Sequence, residues 1–451
     1  MLLKLPFREA RKSLSSYGVY SFSLTLAIAI FCSFSSVYRQ INDLIGTTIQ
    51  ENSIAALEPL RYTLILADVF VGLMFAFLVV YASTFFYRKK KKDLSLLLMM
   101  GLGRGKASLL LILQNLFVSL LSFGCGIGLG IGFSQALGAI SCNLFGSNLS
   151  SFRFYFSPEG LVLTSCFFVA LFILVSFFTC LSVRRTSLKD LYTGSFTEEK
   201  RKKPKSRKVL LAMLYISLLL YVVGCSLMAI AFTETCVLVF VIGCLSGFLF
   251  FASYSSLSYG KADKKKNYYK GLNPFLYKEF YSRVGSASLT LAFIFLSIIL
   301  TFVLMALGLG MEMDGKRTDN TYLPFAFVGI YMGTSFLITS CAILGMRQLS
   351  SSTESRSRYL FLSKLGASRK DILAAATKES ALYYIVPLLF AFIPSLTASL
   401  GAIRQGKQYL GLDMTAGILI SLAIILAIYL LYFVFILFRV RRIVDPERKE
   451  G

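Results

Sequence analysis

The stretch LLLMMGLGRGK at residues 96–106 reveals how this chain is organised, because the similar stretch LFLSKLGASRKD follows at residues 360–371. In each, a leucine-containing run ends at a glycine, Gly101 in the first and Gly366 in the second, and the two glycines are 265 positions apart. The pentapeptide SLTLA recurs at the same separation, at residues 23–27 and 288–292. Two independent matches at one spacing indicate that the chain contains an internal duplication.

The composition is typical of an integral membrane protein. Of the 451 residues, 56% are hydrophobic and 16% are charged, and the mean hydropathy is +0.69, which is too apolar for a soluble domain. The net charge of +24 would suggest a nucleic-acid partner in a soluble chain. Here the basic residues lie in short segments between long apolar runs, so we interpret them as topology signals and expect no nucleic-acid partner.

The residue inventory argues against a catalytic or metal site on this chain. There is no His at all, which excludes a histidine general base and a histidine metal ligand. The nine Cys lack CxxC or other ligand spacing, and core packing is the preferred interpretation. We predict no catalytic residue, no metal site and no cofactor bound to this chain.

Ten apolar runs are long enough to cross a hydrocarbon layer of ~30 Å as helices. We place these spans at residues 19–37, 63–86, 107–137, 160–182, 209–232, 236–254, 287–310, 323–345, 379–401 and 415–438. With both termini in the cytosol, 40 of the 47 Lys and Arg residues fall in cytosolic segments, as the positive-inside rule requires. The predicted fold is an all-α integral membrane protein that crosses the plasma membrane about ten times, contacting membrane lipids along its spans.

The duplication divides these spans into two modules and an insert. We predict a first four-span module at residues 1–192, a two-span insert with basic cytosolic linkers at 193–265, and a second four-span module at 266–451. Because four spans plus two is an even number, both modules enter the membrane from the same side. This makes the repeat parallel, with a pseudo-two-fold axis along the membrane normal.

The paired stretches predict a helix, an elbow and a second helix at the cytosolic surface in each module. Glycine suits the backbone conformation with positive φ that commonly ends a helix. In the second copy, Ser368 followed three residues later by Asp371 predicts the start of the next helix. Since that helix is a membrane span, a push on the short helix would be carried into the membrane. The alternative is that these basic segments only rest on anionic lipid headgroups.

The order of these features resembles that of the FtsX-like permeases of ATP-binding cassette (ABC) transporters. The features are the basic lead REARKS before the first span, the glycine elbow before the third, and an RR pair after the fourth, at Arg184 and Arg185 and again at Arg441 and Arg442. Two such modules in one ten-span chain are similar to the bacitracin-resistance (Bce-type) permeases of Gram-positive bacteria. The resemblance implies a permease subunit, not itself an enzyme, that binds two copies of a separate cytosolic ATPase, which carries the ATP and Mg. Carried over by position, the coupling residues are Leu97, Gly101, Arg104, Leu362, Gly366 and Arg369.

The resemblance further implies export or membrane extraction of an amphipathic peptide or lipid-linked substrate, as in resistance to antimicrobial peptides. Bce-type permeases carry a large extracellular domain between spans seven and eight, whereas this chain has only MEMDGKRTDNTY at residues 311–322. The transporter class is therefore better supported than antibiotic resistance. One alternative is an ATP-driven mechanotransmission sensor that signals to a histidine kinase or a wall enzyme. Another is an ion-coupled secondary transporter, which would normally bury several acids near the membrane midplane.

Three further features carry expectations. The stretch GCGIGLGIG at residues 124–132 predicts close helix packing through Gly124, Gly128 and Gly132. The second module has no such glycines and has Pro387 and Pro394 instead, so we expect the two modules to pack differently. Finally, two acids stand out: Asp68 lies inside the second span and is a candidate for the substrate route, and Glu379 is expected at the membrane interface, at the N-terminus of a helix.

Overall fold

A computed structural model describes residues 20–36, 54–144, 157–185, 207–230, 236–259, 271–286, 288–318 and 323–445. In these ranges the chain is almost entirely helical and forms no strand. A helix pairs every internal backbone N–H and C=O group within one segment, which is what an apolar chain in a bilayer requires. The predicted fold class, an all-α membrane protein, is confirmed.

The chain divides into two compact units, of which the first comprises Met1–Arg201. Four helices are described in this unit. They are α1 (Tyr20–Ser36), α2 (Ile54–Met99), α3 (Arg104–Leu144) and α4 (Pro158–Arg185). These are the four spans of the predicted first module.

The second unit comprises Lys202–Gly451 and contains the predicted insert together with the predicted second module. The insert forms α5 (Arg207–Ile230) and α6 (Cys236–Tyr259). The remaining helices are α7 (Asn273–Ser286), α8 (Ser288–Thr318), α9 (Leu323–Lys364), α10 (Arg369–Gln405) and α11 (Thr415–Val444), with a π-helical turn, Gly406–Leu410, after α10. Only residues 319–322 separate α8 from α9, where Bce-type permeases have their large extracellular domain.

The described helices account for all ten predicted spans. Eight of the helices in the described residues are long and apolar enough to cross a membrane, and α1 and the part of α2 at Val71–Thr84 are shorter apolar segments. Two helices extend well beyond the predicted spans: α2 continues to Met99 and α9 to Lys364. Neither extension contains a Gly or Pro to stop the helix.

These extensions correct one detail of the prediction. The helix before each elbow is not a separate short helix at the membrane surface, because it is the continuous end of the preceding span. Each elbow therefore joins two long helices directly, α2 to α3 in the first unit and α9 to α10 in the second. A displacement at an elbow would act on both helices.

The glycine-rich stretch of α3 packs through a different face from the one predicted. A Cβ added to Gly126 would lie 2.8 Å from Cβ of Ile28, and one added to Gly130 would lie 2.8 Å from Cβ of Cys32. Glycine at these two positions lets α3 approach α1 closely. The glycines predicted to pack are instead exposed; these are Gly124, Gly128 and Gly132. A Cβ added at any of them would meet no described atom within 4 Å. A shift of two residues turns the helix face by about 200°, so the close contact between α1 and α3 is made about half a turn away from the predicted glycines.

The second unit uses its glycines between other helices, which confirms that the two modules pack differently. A Cβ on Gly308 of α8 would lie 2.5 Å from the backbone nitrogen of Ile330 in α9. A Cβ on Gly329 would lie 2.9 Å from Cα of Gly308. Helix α10, the counterpart of α3, contains Pro387 and Pro394 and continues through both.

Candidate coupling site

The first elbow closes α2 with two backbone hydrogen bonds around Gly101, whose φ is +90°. The Gly101 N–H donates to the Leu98 carbonyl at 3.1 Å, and the Leu102 N–H donates to the Leu97 carbonyl at 3.2 Å. This pair of bonds is the Schellman motif, which satisfies carbonyl groups that the end of a helix leaves unpaired. Leu97, one of the predicted coupling residues, contributes through its backbone.

The second elbow repeats this geometry around Gly366, whose φ is +94°. The Gly366 N–H donates to the Ser363 carbonyl at 3.0 Å, and the Ala367 N–H donates to the Leu362 carbonyl at 3.1 Å. Each of these residues is 265 positions after its counterpart in the first elbow. The duplication seen in the sequence is therefore also a duplication of backbone conformation and hydrogen bonding.

The two elbows differ in how the following helix begins. In the second, Ser368 is the N-cap of α10: its hydroxyl accepts the Asp371 N–H at 3.2 Å and donates to Asp371 Oδ2 at 2.7 Å. The prediction of a cap at this residue is confirmed. The equivalent residue of the first elbow is Gly103, whose carbonyl accepts the Ala107 N–H at 3.0 Å but which has no side chain to cap the helix. The second elbow is thus the more strongly capped of the two.

A small hydrophobic core supports the first elbow. Leu102, the residue after the glycine, packs on a cluster formed by the end of α2, the beginning of α3 and the end of α4. The buried members of this cluster are Tyr87, Leu94, Leu98, Ala107, Leu111 and Val183. Val183 directly precedes the Arg184–Arg185 pair, so the exit of the fourth span forms part of the elbow's support.

Polar contacts tie the second elbow to the exit of its own fourth span, α11. Arg369, the first residue of α10, donates from Nε and Nη2 to the two carboxylate oxygens of Asp445, at 2.9 and 2.5 Å. Asp445 is the C-cap of α11. Nearby, Arg441 Nε of α11 donates to Oγ1 of Thr377 in α10 at 3.0 Å. In both units the elbow is therefore attached to the helix that ends in the RR pair.

The amphipathic helix α7, which precedes the second module, braces the end of α9. Glu279 is buried and accepts hydrogen bonds from Nη1 of Arg358 at 2.5 Å and from Oγ of Ser355 at 3.3 Å. The ring of Phe275 packs edge-on against Tyr359, with the centroids 5.3 Å apart. These contacts hold the last turns of α9 in place before the elbow.

One hydrogen bond crosses the second elbow and corrects the expectation for Glu379. Tyr359 of α9 donates its hydroxyl to Oε2 of Glu379 in α10 at 2.8 Å, and both side chains are buried. Glu379 was predicted at a helix N-terminus in the membrane interface. Helix α10 begins ten residues earlier, at Arg369, so Glu379 lies inside the helix and its carboxylate links the two helices.

Each elbow also presents an exposed pair of large apolar side chains that sequence analysis missed. The side chains of Leu96 and Met100 are 46% and 84% exposed, and those of Phe361 and Leu365 are 61% and 68% exposed. The members of each pair are four residues apart, so they share one helix face. The two pairs are again separated by 265 positions. That apolar i, i+4 pattern, repeated in both copies, is the sequence signal that could have revealed them.

The structure thus brings the predicted coupling residues together as two groups of three. Arg104 begins α3 and is exposed, as Arg369 begins α10.

The backbone of Asp68 lies in α2, but its side chain is outside the part of the chain that the structure describes. Glu279 and Asp445 were not predicted, because neither lies in a repeated motif and both act through contacts between distant parts of the chain.

Comparison with known proteins supports this interpretation of the first unit. Residues 65–188 match the family model "FtsX-like permease C-terminal", a region that includes most of α2 and all of the first elbow, α3 and α4. The chain is also similar to the bacitracin export permease protein BceB of Halalkalibacterium halodurans, with 27% identity over 122 residues. That alignment covers 27% of this chain and 18% of the relative.

The matched region contains the first elbow, and the second elbow has the same hydrogen bonds at a constant separation in sequence. The resemblance to FtsX-like permeases, inferred from the order of basic lead, glycine elbow and RR exit, is therefore confirmed over residues 65–188, which match that family's model.

Proposed function

We propose that this chain is the permease subunit of an ABC transporter and that its two elbows are the docking points for a pair of cytosolic ATPases. The observation that carries the proposal is the repetition, 265 positions apart, of a Schellman turn preceded by an exposed apolar pair. Two equivalent surfaces on one chain suit a partner with two equal faces, such as an ATPase dimer. ATP and Mg are bound by that partner in this proposal.

The coupling route follows from the continuity of the helices. Helices α2 and α9 reach the elbows without a break, and α3 and α10 each begin three residues after the glycine. The elbows are braced by the ends of α4 and α11 through Val183 and Asp445. A force applied to Met100 or Leu365 would therefore move several membrane helices of one unit together.

We infer that the cargo is an amphipathic peptide or a lipid-linked molecule that is exported or extracted from the membrane. The connection between α8 and α9 at residues 319–322 is too short to enclose a polar ligand outside the membrane. The name of the similar BceB protein, a bacitracin export permease, supports the same class of cargo. Photo-crosslinking with labelled peptide and lipid probes tests this: we expect labels on α1, α2, α8 and α9, and labels confined to the outer connections would contradict it.

The docking proposal is tested by co-expressing the chain with ABC-class ATPases from the same genome and measuring the complex by native mass spectrometry. We expect one copy of this chain with two copies of the ATPase, and no ATPase activity from this chain alone. Met100→Asp together with Leu365→Asp should abolish the complex, because a charge replaces an apolar contact in each docking surface.

The control is Thr353→Asp, which adds one aspartate at an exposed position of α9 about three and a half turns before the elbow. Its complex with the ATPase should form normally. If the double aspartate variant still binds the ATPase pair, the apolar pairs are anchors in the lipid headgroups and the docking proposal is wrong.

A further inference from the structure

Pro394 lies inside α10, and its position leaves the carbonyl group of Phe390 without its usual donor. In an α-helix, the N–H of residue 394 would donate to the carbonyl of residue 390. Proline has no N–H, yet α10 continues to Gln405. In a membrane helix such a carbonyl cannot be satisfied by bulk water, so another protein group must pair with it.

Tyr221 of the insert helix α5 supplies the missing donor. Its hydroxyl donates to the Phe390 carbonyl oxygen at 2.9 Å. Its ring also stacks on the Phe390 ring, with the centroids 4.5 Å apart and the planes inclined by 27°. The rings of Phe250 in α6 and Phe295 in α8 lie 4.1 and 4.9 Å from that of Phe390. The proline break in α10 is thus enclosed by aromatic side chains from three neighbouring helices.

Two further contacts attach the insert to the second module. Beyond the proline break along α10, Gly401 lies so close to α5 that an added Cβ would overlap the carbonyl oxygen of Met228. At the other end of the insert, Oγ of Ser255 in α6 donates to the carbonyl of Tyr281 in α7 at 2.6 Å. The insert is therefore bound to α7 and α10 and lies in the same compact unit.

We propose that the two-span insert keeps α10 continuous at its proline break, with Tyr221 as the positioning residue. Helix α10 begins at the second elbow, and Pro394 lies 25 residues further on, about 37 Å along the helix. A displacement entering at the elbow would be transmitted along α10 to this break. Whether the part of α10 beyond Pro394 follows or bends then depends on the Tyr221 hydrogen bond. This gives the insert a role that is separate from docking at the elbows.

The test is a double-mutant cycle on the full chain, read out by hydrogen exchange of peptides covering residues 391–405, without any ATPase. Tyr221→Phe keeps the ring and removes only the donor, so we expect exchange in these peptides to rise about fivefold. Pro394→Ala restores an N–H that can donate to Phe390 itself. In the Pro394→Ala background, Tyr221→Phe should therefore have little effect.

Two controls make the result specific. Tyr215→Phe removes a hydroxyl from an exposed tyrosine of the same helix and should leave exchange in residues 391–405 unchanged. Pro387→Ala restores an N–H aligned with the carbonyl of residue 383 instead, so it should not rescue Tyr221→Phe.

The proposal is overturned if Tyr221→Phe leaves exchange at the wild-type rate. It is equally overturned if the effect is the same with and without Pro394, since Tyr221 would then act through ring packing alone. Because no ATPase is present, either outcome leaves the docking proposal for the elbows standing.

Discussion

Gly101 and Gly366 lie 265 positions apart and hold the same backbone conformation, with φ of +90° and +94°. A Cβ added at either position would meet no described atom within 4 Å. The requirement for glycine at both elbows therefore comes from the backbone dihedral angle alone, because residues with a Cβ adopt positive φ at a cost. Substitutions at these positions change the turn without disturbing the surrounding packing.

In the complex proposed above, replacing both glycines with valine should uncouple ATP hydrolysis from transport. Each substitution costs about 1 to 2 kcal/mol in the left-handed conformation, which favours a different angle between the joined helices. We expect the variant to insert into the membrane and the ATPase to hydrolyse ATP without driving transport. Hydrolysis and transport would be measured in the same proteoliposomes. The control is Gly105→Ala, because an added Cβ at this position of α3 meets no described atom within 4 Å. If ATP hydrolysis in the double valine variant still drives transport as in the wild type, the prediction is wrong.

The pair formed by Arg369 and Asp445 should contribute modestly to stability and more to the orientation of the second elbow. Their side chains are 47% and 19% exposed, so we expect Asp445→Asn to cost only about 0.5 to 1 kcal/mol in thermal unfolding. The charge-swapped variant Arg369→Asp with Asp445→Arg should recover part of the loss. Asp93→Asn, which breaks a pair with Lys90 within α2 in which the aspartate is 58% exposed, should cost less. An Asp445→Asn effect no larger than that of Asp93→Asn would show that the pair does not hold the elbow.

Substituting Glu279 should cost more stability than substituting Asp445. Glu279 is buried and accepts hydrogen bonds from Ser355 and Arg358. Glu279→Ala leaves Arg358 and Ser355 without their acceptor, and we expect a loss of about 2 kcal/mol. Unfolding in a denaturant series measures the loss, and protease sensitivity near residues 355–364 should rise because α7 no longer braces the end of α9. Glu354→Ala, at an exposed position of α9, is the matched control and should be nearly neutral.

Two glycines of α3 test which face of this helix packs against α1. Gly126→Ala places a Cβ 2.8 Å from Cβ of Ile28, so α1 and α3 must separate and we expect a loss of about 1 to 3 kcal/mol. Gly128→Ala, two residues away, meets no described atom within 4 Å and should be neutral or slightly stabilising because alanine favours helix. Thermal unfolding of the two variants compares them directly, and equal effects would show that neither face is closely packed.

Much of the architecture could be predicted from the sequence because it depends on local properties. A long apolar run in a bilayer has few alternatives to a helix, so each predicted span corresponds to a helix of the described residues, and eight of these helices are long and apolar enough to cross a membrane. The glycine elbows could be predicted for the same reason, since each helix is ended by local hydrogen bonds from the glycine and from the residue after it, which donate to carbonyls three and five positions earlier, respectively. The helix ends were harder, and α2 and α9 ran further than expected because nothing in their extensions stops a helix.

Only the tertiary structure decided which groups on these helices meet. The stretch GCGIGLGIG has glycine at every second position and so offers glycine on both faces of α3; the position of α1 selects Gly126 and Gly130. Tyr221 and Phe390 are 169 positions apart, and nothing in the sequence around either one indicates the other. The sequence by itself determined where the helices lie and where they turn, because those features depend on neighbouring residues. The partners of Glu279, Arg369 and Tyr221 depend on how the helices pack, so they could be identified only in the folded protein.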